Sequence, residues 1–198
     1  MDKPYSAACD NNREPILSVI KDLFADCRSV LELGSGTGQH AVFFAGKQPH
    51  LSWQTSDLLE NHEGIKLWLN EARLDNALAP LVLDVTQSEW PIVEVDAVFS
   101  ANAVHIMGWE AVKAMIAGVG KLISEGGLLV LYGPFNYNNN YSSESNASFD
   151  VWLKERNPES GIRDFEEVDR LAKAAGMYLQ DDYAMPANNR ILCWKKIK

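Results

Sequence analysis

"VLELGSGTGQHAVFFA", residues 30–45, runs from an apolar stretch through a glycine turn into a second apolar stretch, in the order strand, turn, helix. Its glycines, Gly34, Gly36 and Gly38, follow the pattern G-x-G-x-G. In the dinucleotide fingerprint G-x-G-x-x-G the third glycine comes one position later, so this turn departs from the pyrophosphate-binding spacing. A strand, turn and helix in this order put free backbone N–H groups and the positive end of a helix dipole at the carboxyl edge of a sheet, where α/β folds bind ligands. Gly34 and Gly36 let the backbone turn sharply and approach a ligand without a Cβ in the way.

Working outward, Ile16, Val19, Ile20 and Leu23 recur at helical spacing in "PILSVIKDLF", with Pro15 suited to a first turn. Five β-rich runs follow: "SVLEL" (29–33), "LSWQTS" (51–56), "PLVLDV" (80–85), "DAVFSA" (96–101) and "GLLVLYG" (127–133). Helical patterns lie between them, one through Ile65, Trp68, Leu69 and Ala72 and another through Val112, Met115, Ile116 and Val119. Strands alternating with helices imply right-handed crossovers and a parallel sheet. The stretch 133–149, "GPFNYNNNYSSESNASF", shows no period and reads as a functional or mobile loop. After a helix carrying Val168, Leu171, Ala172 and Ala175, ended by Gly176, the segments 177–185 and 189–197 are joined only by "PANN". They should form an antiparallel hairpin, a second departure from dinucleotide folds. The expected fold is Rossmann-like α/β, with helices on both faces and an antiparallel tail.

Acidic residues at successive strand ends define the ligand. Asp57 closes "LSWQTSD" 19 residues after Gly38, where a carboxylate accepts ribose hydroxyls. Asp84 closes "LVLD", where it accepts from an adenine amine while the Val85 N–H faces a ring nitrogen. Ribose and adenine without pyrophosphate fit S-adenosyl-L-methionine, and Glu32 supplies a carboxylate near its ammonium and sulfonium charges. The cofactor set is then Glu32, Gly34, Ser35, Gly36, Thr37, Gly38, Asp57, Leu58, Asp84, Val85 and Asn102.

Bulk properties exclude several classes. The 198 residues suffice for one α/β domain, and 18 Lys plus Arg against 27 Asp plus Glu give a formal charge of -9, which repels a phosphate backbone. Nucleic acid is an unsuitable partner. Three widely spaced cysteines form no C-x-x-C pair, and four histidines stand at no ligand-like spacing, so neither a disulfide framework nor a metal is expected. With no apolar signal region and no membrane-length run, a soluble cytoplasmic protein is expected.

Through "VLELGSGTG", Asp57, "LDV" (83–85) and the terminal hairpin, the chain resembles the class I S-adenosylmethionine-dependent methyltransferases. More narrowly it is similar to the methyltransferase-like protein 26 family, through "NREPIL" (12–17), "GSGTGQHAVFFA" (34–45), "WQTSD" (53–57), "ESNASFD" (144–150), "GIRDFEEV" (161–168) and "MPANN" (185–189). The resemblance implies a seven-stranded sheet and methyl transfer. That family carries an arginine where this chain has Asn11, which leaves Arg13 to supply a guanidinium there. A single domain over 1–198 is expected, with a lid and helix in 1–27, a cofactor-binding core in 28–135, and an acceptor-side loop, helix and hairpin in 136–198.

Methyl transfer needs alignment and water exclusion, and a base only for a hydroxyl acceptor. The fourth strand runs into "SANAVHIMGW", which makes His105 the candidate base and Asn102 a hydrogen-bonding clamp. Tyr132 and Phe135 are candidates for the acceptor wall, Glu144, Asn146, Arg163, Asn188 and Asn189 for its polar lining, and Asn12 and Arg13 for the lid. Trp109 and Trp152 stay open as members of an aromatic cage. The expected partner is a small-molecule methyl acceptor, with no membrane and no nucleic acid. A non-catalytic binding module for S-adenosylmethionine or S-adenosylhomocysteine is the alternative; a nicotinamide-dependent oxidoreductase is disfavoured by the glycine spacing and the tail.

Overall fold

The apolar residues of β1 (Ser29–Leu33) are buried on both faces, as a strand deep inside a parallel sheet requires. In the computed structural model, which describes residues 3–92 and 94–197, β1 pairs in parallel with β2 (Ser52–Asp57) on one side and β4 (Val95–Ala101) on the other. β3 (Ala77–Val82) lies at one edge beside β2. β5 (Ile123–Gly133) follows β4, and then β9 (Asn189–Lys196) and β8 (Met177–Met185) complete the order β3-β2-β1-β4-β5-β9-β8. The first five are parallel, and β9 is antiparallel to both β5 and β8, so the expected hairpin is present. A two-residue pair, β6 (Phe135–Asn136) with β7 (Arg163–Asp164), lies apart from the main sheet.

Helices cover both faces because side chains alternate along each strand. On one face α1 (Ala7–Leu23) and α2 (Gln39–Lys47) bury Ile16, Ile20 and Phe44 against Val30, Trp53, Phe99 and Val130. On the other, α4 (Trp109–Leu122) and α6 (Phe165–Ala174) bury Val112, Met115, Ile116 and Val168 against Leu31, Leu33, Val98 and Trp194. α3 (His62–Ala72) packs beside β3, and α5 (Glu144–Arg156) follows β6.

Three elements differ from the sequence expectation. The third strand sits three residues earlier than 80–85, and Pro80 is tolerated there because β3 is an edge strand. α1 begins at Ala7, so Pro15 stands inside the helix rather than in its first turn. The aperiodic stretch ends in a helix: α5 starts at Glu144, capped by the Ser143 side chain accepting from the Asn146 N–H. Its inward positions, Asn146, Asp150 and Leu153, keep helical spacing, but two of the three are polar.

The chain winds from β1 outward to β3, then returns to β4 and winds the other way. The crevice at that reversal, beyond the carboxyl ends of β1 and β4, is where such sheets bind ligands.

Candidate functional site

The glycine turn is held from below. Gly34, Gly36 and Gly38 have φ of +71°, +57° and +90°, the left-handed region that glycine enters without strain. The Gly34 and Ser35 amides donate to the Ser56 carbonyl at 3.1 and 3.0 Å, Gly38 donates to the Ser35 carbonyl at 2.9 Å, and Gly36 donates to Asp57 Oδ2 at 2.7 Å. These four N–H groups are therefore not free, which corrects the expectation of open backbone donors. With them committed, the turn is a poor cradle for a diphosphate.

Asp57 Oδ1 accepts from the Leu58 N–H at 2.8 Å and from Asn61 Nδ2 at 2.7 Å. With the Gly36 bond, three of the four acceptor positions of its carboxylate are filled, and one on Oδ2 remains. Asp84 stands two residues past β3, in a turn where Oδ1 accepts from both the N–H and the hydroxyl of Thr86 at 2.9 and 2.7 Å. The Thr86 N–H and then its hydroxyl hold the Asp84 carboxyl below the usual carboxylate range. Glu32 lies beneath the turn, 1% exposed, accepting from Ser35 Oγ at 3.0 Å and Trp53 Nε1 at 3.1 Å. Burial pushes its carboxyl up to about 7, against the pull of those two donors.

A cavity of about 1310 Å³ opens over this edge. Of the predicted residues, Asn12, Gly34, Ser35, Gly36, Thr37, Asp57, Leu58, Asp84, Val85, Asn102, His105, Tyr132, Asn146 and Asn189 line it. Glu32, Gly38, Arg13, Phe135, Glu144, Arg163 and Asn188 do not. Gly38 instead begins α2 and lies so near α3 that a Cβ would come within 3.1 Å of Ile65 Cα. Arg13 pairs with Asp10 at 2.7 Å and lies over the Phe43 ring. Phe135 is a core residue, Glu144 is exposed at the start of α5, and exposed Asn188 donates to Ser145 Oγ while its carbonyl accepts from Asn146. Arg163 donates to the carbonyls of Val104, Met107 and Glu159 and lies over Trp109, so it braces the loop after β4 from behind. Trp109 is thereby a packing residue, whereas Trp152 lines the cavity.

That loop brings Asn102 and His105 to the cavity. Asn102 has φ of +58° and donates its N–H to the Tyr132 carbonyl at 2.8 Å. His105, 5% exposed, meets Phe149 edge-on at 5.4 Å, and its carbonyl accepts from the Gly161 N–H. Burial, and secondarily the Arg163 charge, bring the His105 imidazole down to about 4, so it is neutral at pH 7. Its ring nitrogens make no hydrogen bond among the described residues, whereas His40 Nε2 is bonded to Asn12 Oδ1 at 2.7 Å.

The sequence reading missed His40, Asn61, Cys9, Phe149, Arg156 and Ser160, all in the lining. His40 stands inside the quoted glycine segment and Asn61 is one helical turn past Asp57, so both were within reach. Phe149 and Arg156 were hidden with α5. Among the described residues, no group of His, Cys, Asp and Glu is arranged to hold a metal, and no helix is long and apolar enough to cross a membrane.

Solved structures share this architecture. An O-methyltransferase family protein from Burkholderia thailandensis is 15% identical, with a TM-score of 0.84 over 96% of this chain and 58% of that one. The S-adenosylmethionine-dependent methyltransferase SibL in its apo form is 18% identical, with a TM-score of 0.82 over 97% and 56%. Human N-acetylserotonin methyltransferase in complex with SAM is 14% identical, with a TM-score of 0.81 over 96% and 53%. This chain thus spans between about half and three-fifths of the length of those proteins. The fold is that of the class I methyltransferases. Kinship is set by the sequence itself: a family model described as "Protein of unknown function (DUF938)" matches residues 3–196, and the chain belongs to that family.

Proposed function

We propose that the protein transfers a methyl group from S-adenosylmethionine to a small polar acceptor. The observation that carries this reading is the cavity, which exceeds the roughly 300–1,000 Å³ of a site for one drug-sized ligand and joins the Asp57 and Asp84 edge to His105. The residues present suit that cofactor. Asp57 keeps one acceptor position for a ribose hydroxyl, Asp84 keeps acceptor capacity beyond the two bonds from Thr86, and the committed turn amides suit a ligand without phosphates. When bound, S-adenosylmethionine supplies an electrophilic methyl on a positively charged sulfur.

The chain's own part is alignment, dryness and a proton acceptor. His105 is neutral and its ring nitrogens have no partner among the described residues, so one is open to take the proton of an acceptor hydroxyl, as a weak base, since burial lowers its basicity along with its charge. Asn102 clamps beside it, Tyr132 and Asn12 add to the wall, and the first half of α1 borders the cavity. Within this reading the finer kinship is to the methyltransferase-like protein 26 family, on the segments quoted above. One domain would act on a small molecule in the cytoplasm.

Thermal unfolding with S-adenosylmethionine, S-adenosylhomocysteine and NAD added separately tests it. At about a hundred times the dissociation constant, binding stabilises by about 2.7 kcal/mol, a rise of about 5–10 °C at this size. The expected result is a shift with both sulfur compounds, lost in Asp57→Ala and kept in His105→Ala, with methylation of a small-molecule extract fraction lost in both. A shift with NAD alone, or with none of the three, would overturn the proposal; undiminished methylation by His105→Ala would remove His105 as the base.

A further inference from the structure

We propose that the part of the cavity beyond His105 is a subsite for a flat aromatic acceptor bearing a carboxylate, with its ring on Phe149 and Trp152 and its charge on Arg156. This rests on the methyltransferase reading and adds the class of acceptor. Of the described residues lining the cavity only three are charged: Asp57, Asp84 and Arg156. The two carboxylates follow β2 and β3, on one side of the winding reversal. Arg156 ends α5, which meets the loop after β4 on the other side through Phe149 against His105. The cavity therefore has an acidic end for a cationic cofactor and a basic end for something else.

The basic end is built of aromatic faces. His105 and Phe149 stand 5.4 Å apart, Phe149 and Trp152 stack at 5.6 Å with 19° between planes, and the Arg156 guanidinium lies 4.5 Å over Trp152. All four line the cavity, so the series leads from the base to the cation. Trp152 remains 46% exposed beside the cavity, even with Phe149 and the Arg156 guanidinium against its ring. A guanidinium held over an indole by its charge still carries N–H donors for a further partner, and its fork matches a carboxylate bidentately. The neighbouring cations are committed: Lys154 to Asp150, Arg163 to three carbonyls. Arg156 forms no ion pair among the described residues.

The test is equilibrium binding to the full chain saturated with S-adenosylhomocysteine, using one- and two-ring hydroxyaryl carboxylates and their methyl esters. The wild type is expected to bind acids about 10- to 100-fold more tightly than esters, the range of a charged hydrogen-bonding pair. Arg156→Gln should abolish that preference, Arg156→Lys restore part of it, and Trp152→Ala weaken acid and ester alike, all with S-adenosylhomocysteine affinity unchanged. No acid preference anywhere in the panel, with S-adenosylhomocysteine bound, assigns Arg156 to the helix end alone and overturns the subsite only. Failure to bind S-adenosylhomocysteine at all sinks the methyltransferase reading and the subsite with it.

Discussion

Glu32 and the two buried histidines pull stability in opposite directions as pH changes. The Glu32 carboxyl is raised from the usual 4.5 to about 7, so its contribution is complete below pH 4.5 and is lost as pH rises through 7. His40 and His105, both lowered from 6.5 to about 4, contribute fully above pH 6.5 and lose that contribution as pH falls through 4. Between pH 4.5 and 6.5 both contributions are partial, and because two histidines gain while one carboxyl loses, the sum for these three groups rises through that range and is greatest near neutral pH. Glu32→Gln should raise the unfolding midpoint above pH 7 and leave it unchanged below pH 4.5; a pH-independent difference between the two proteins would show that ionisation of Glu32 is not the cause. The same residue marks a limit of sequence reading. Position announced Glu32 as a ligand-facing acid, but alternation along β1 turns it under the glycine turn, toward Trp53. Arg163 likewise carries a charge in a recognisable segment and spends it on backbone carbonyls.

At the scale of elements, the glycine turn, four strands and the hairpin were legible because each has an uninterrupted period or an unambiguous turn. α5 was not, because Asn146 and Asp150 occupy its inward face where a pattern search expects apolar residues. Asp150, 2% exposed, accepts from the Tyr141 hydroxyl at 2.7 Å, from Lys154 at 2.5 Å and from the Ile162 N–H at 2.7 Å. Burial opposes its ionisation, yet those donors hold the carboxyl below the usual range. Asp150→Ala leaves the buried Ile162 N–H unpaired, a cost of about 1–3 kcal/mol. Calorimetry should show a midpoint lower by about 2–10 °C; a loss under 1 °C would mean that water or a neighbour replaces the carboxylate. Acceptor affinity should fall further than that of S-adenosylhomocysteine, because α5 carries Phe149, Trp152 and Arg156 while the cofactor edge hangs on β1 and β2.

For the whole molecule, the reversal of winding between β1 and β4 fixes where the cavity lies, and the N-terminal segment borders it. Gln39 exchanges two hydrogen bonds with the Ser6 backbone, and Trp68 Nε1 donates to the Pro4 carbonyl at 2.7 Å. Beyond that strap α1 has two unlike halves. Ile16 and Ile20 are fully buried in the core, whereas Ala8, Cys9, Asn11 and Asn12 only border the cavity. Between them Pro15 has no N–H to offer the Asn11 carbonyl, so the helical ladder misses a rung at the point where its support changes. Local opening can then stop at that rung without disturbing the core. Amide deuteration should be fast over residues 8–14 in the free protein, slow over 16–23, and slowed in the first half alone when S-adenosylhomocysteine binds; equal protection of both halves would refute this. A missing hydrogen bond in one helix thus divides it into a door leaf and its frame, and the deuteration pattern reads how often the leaf swings.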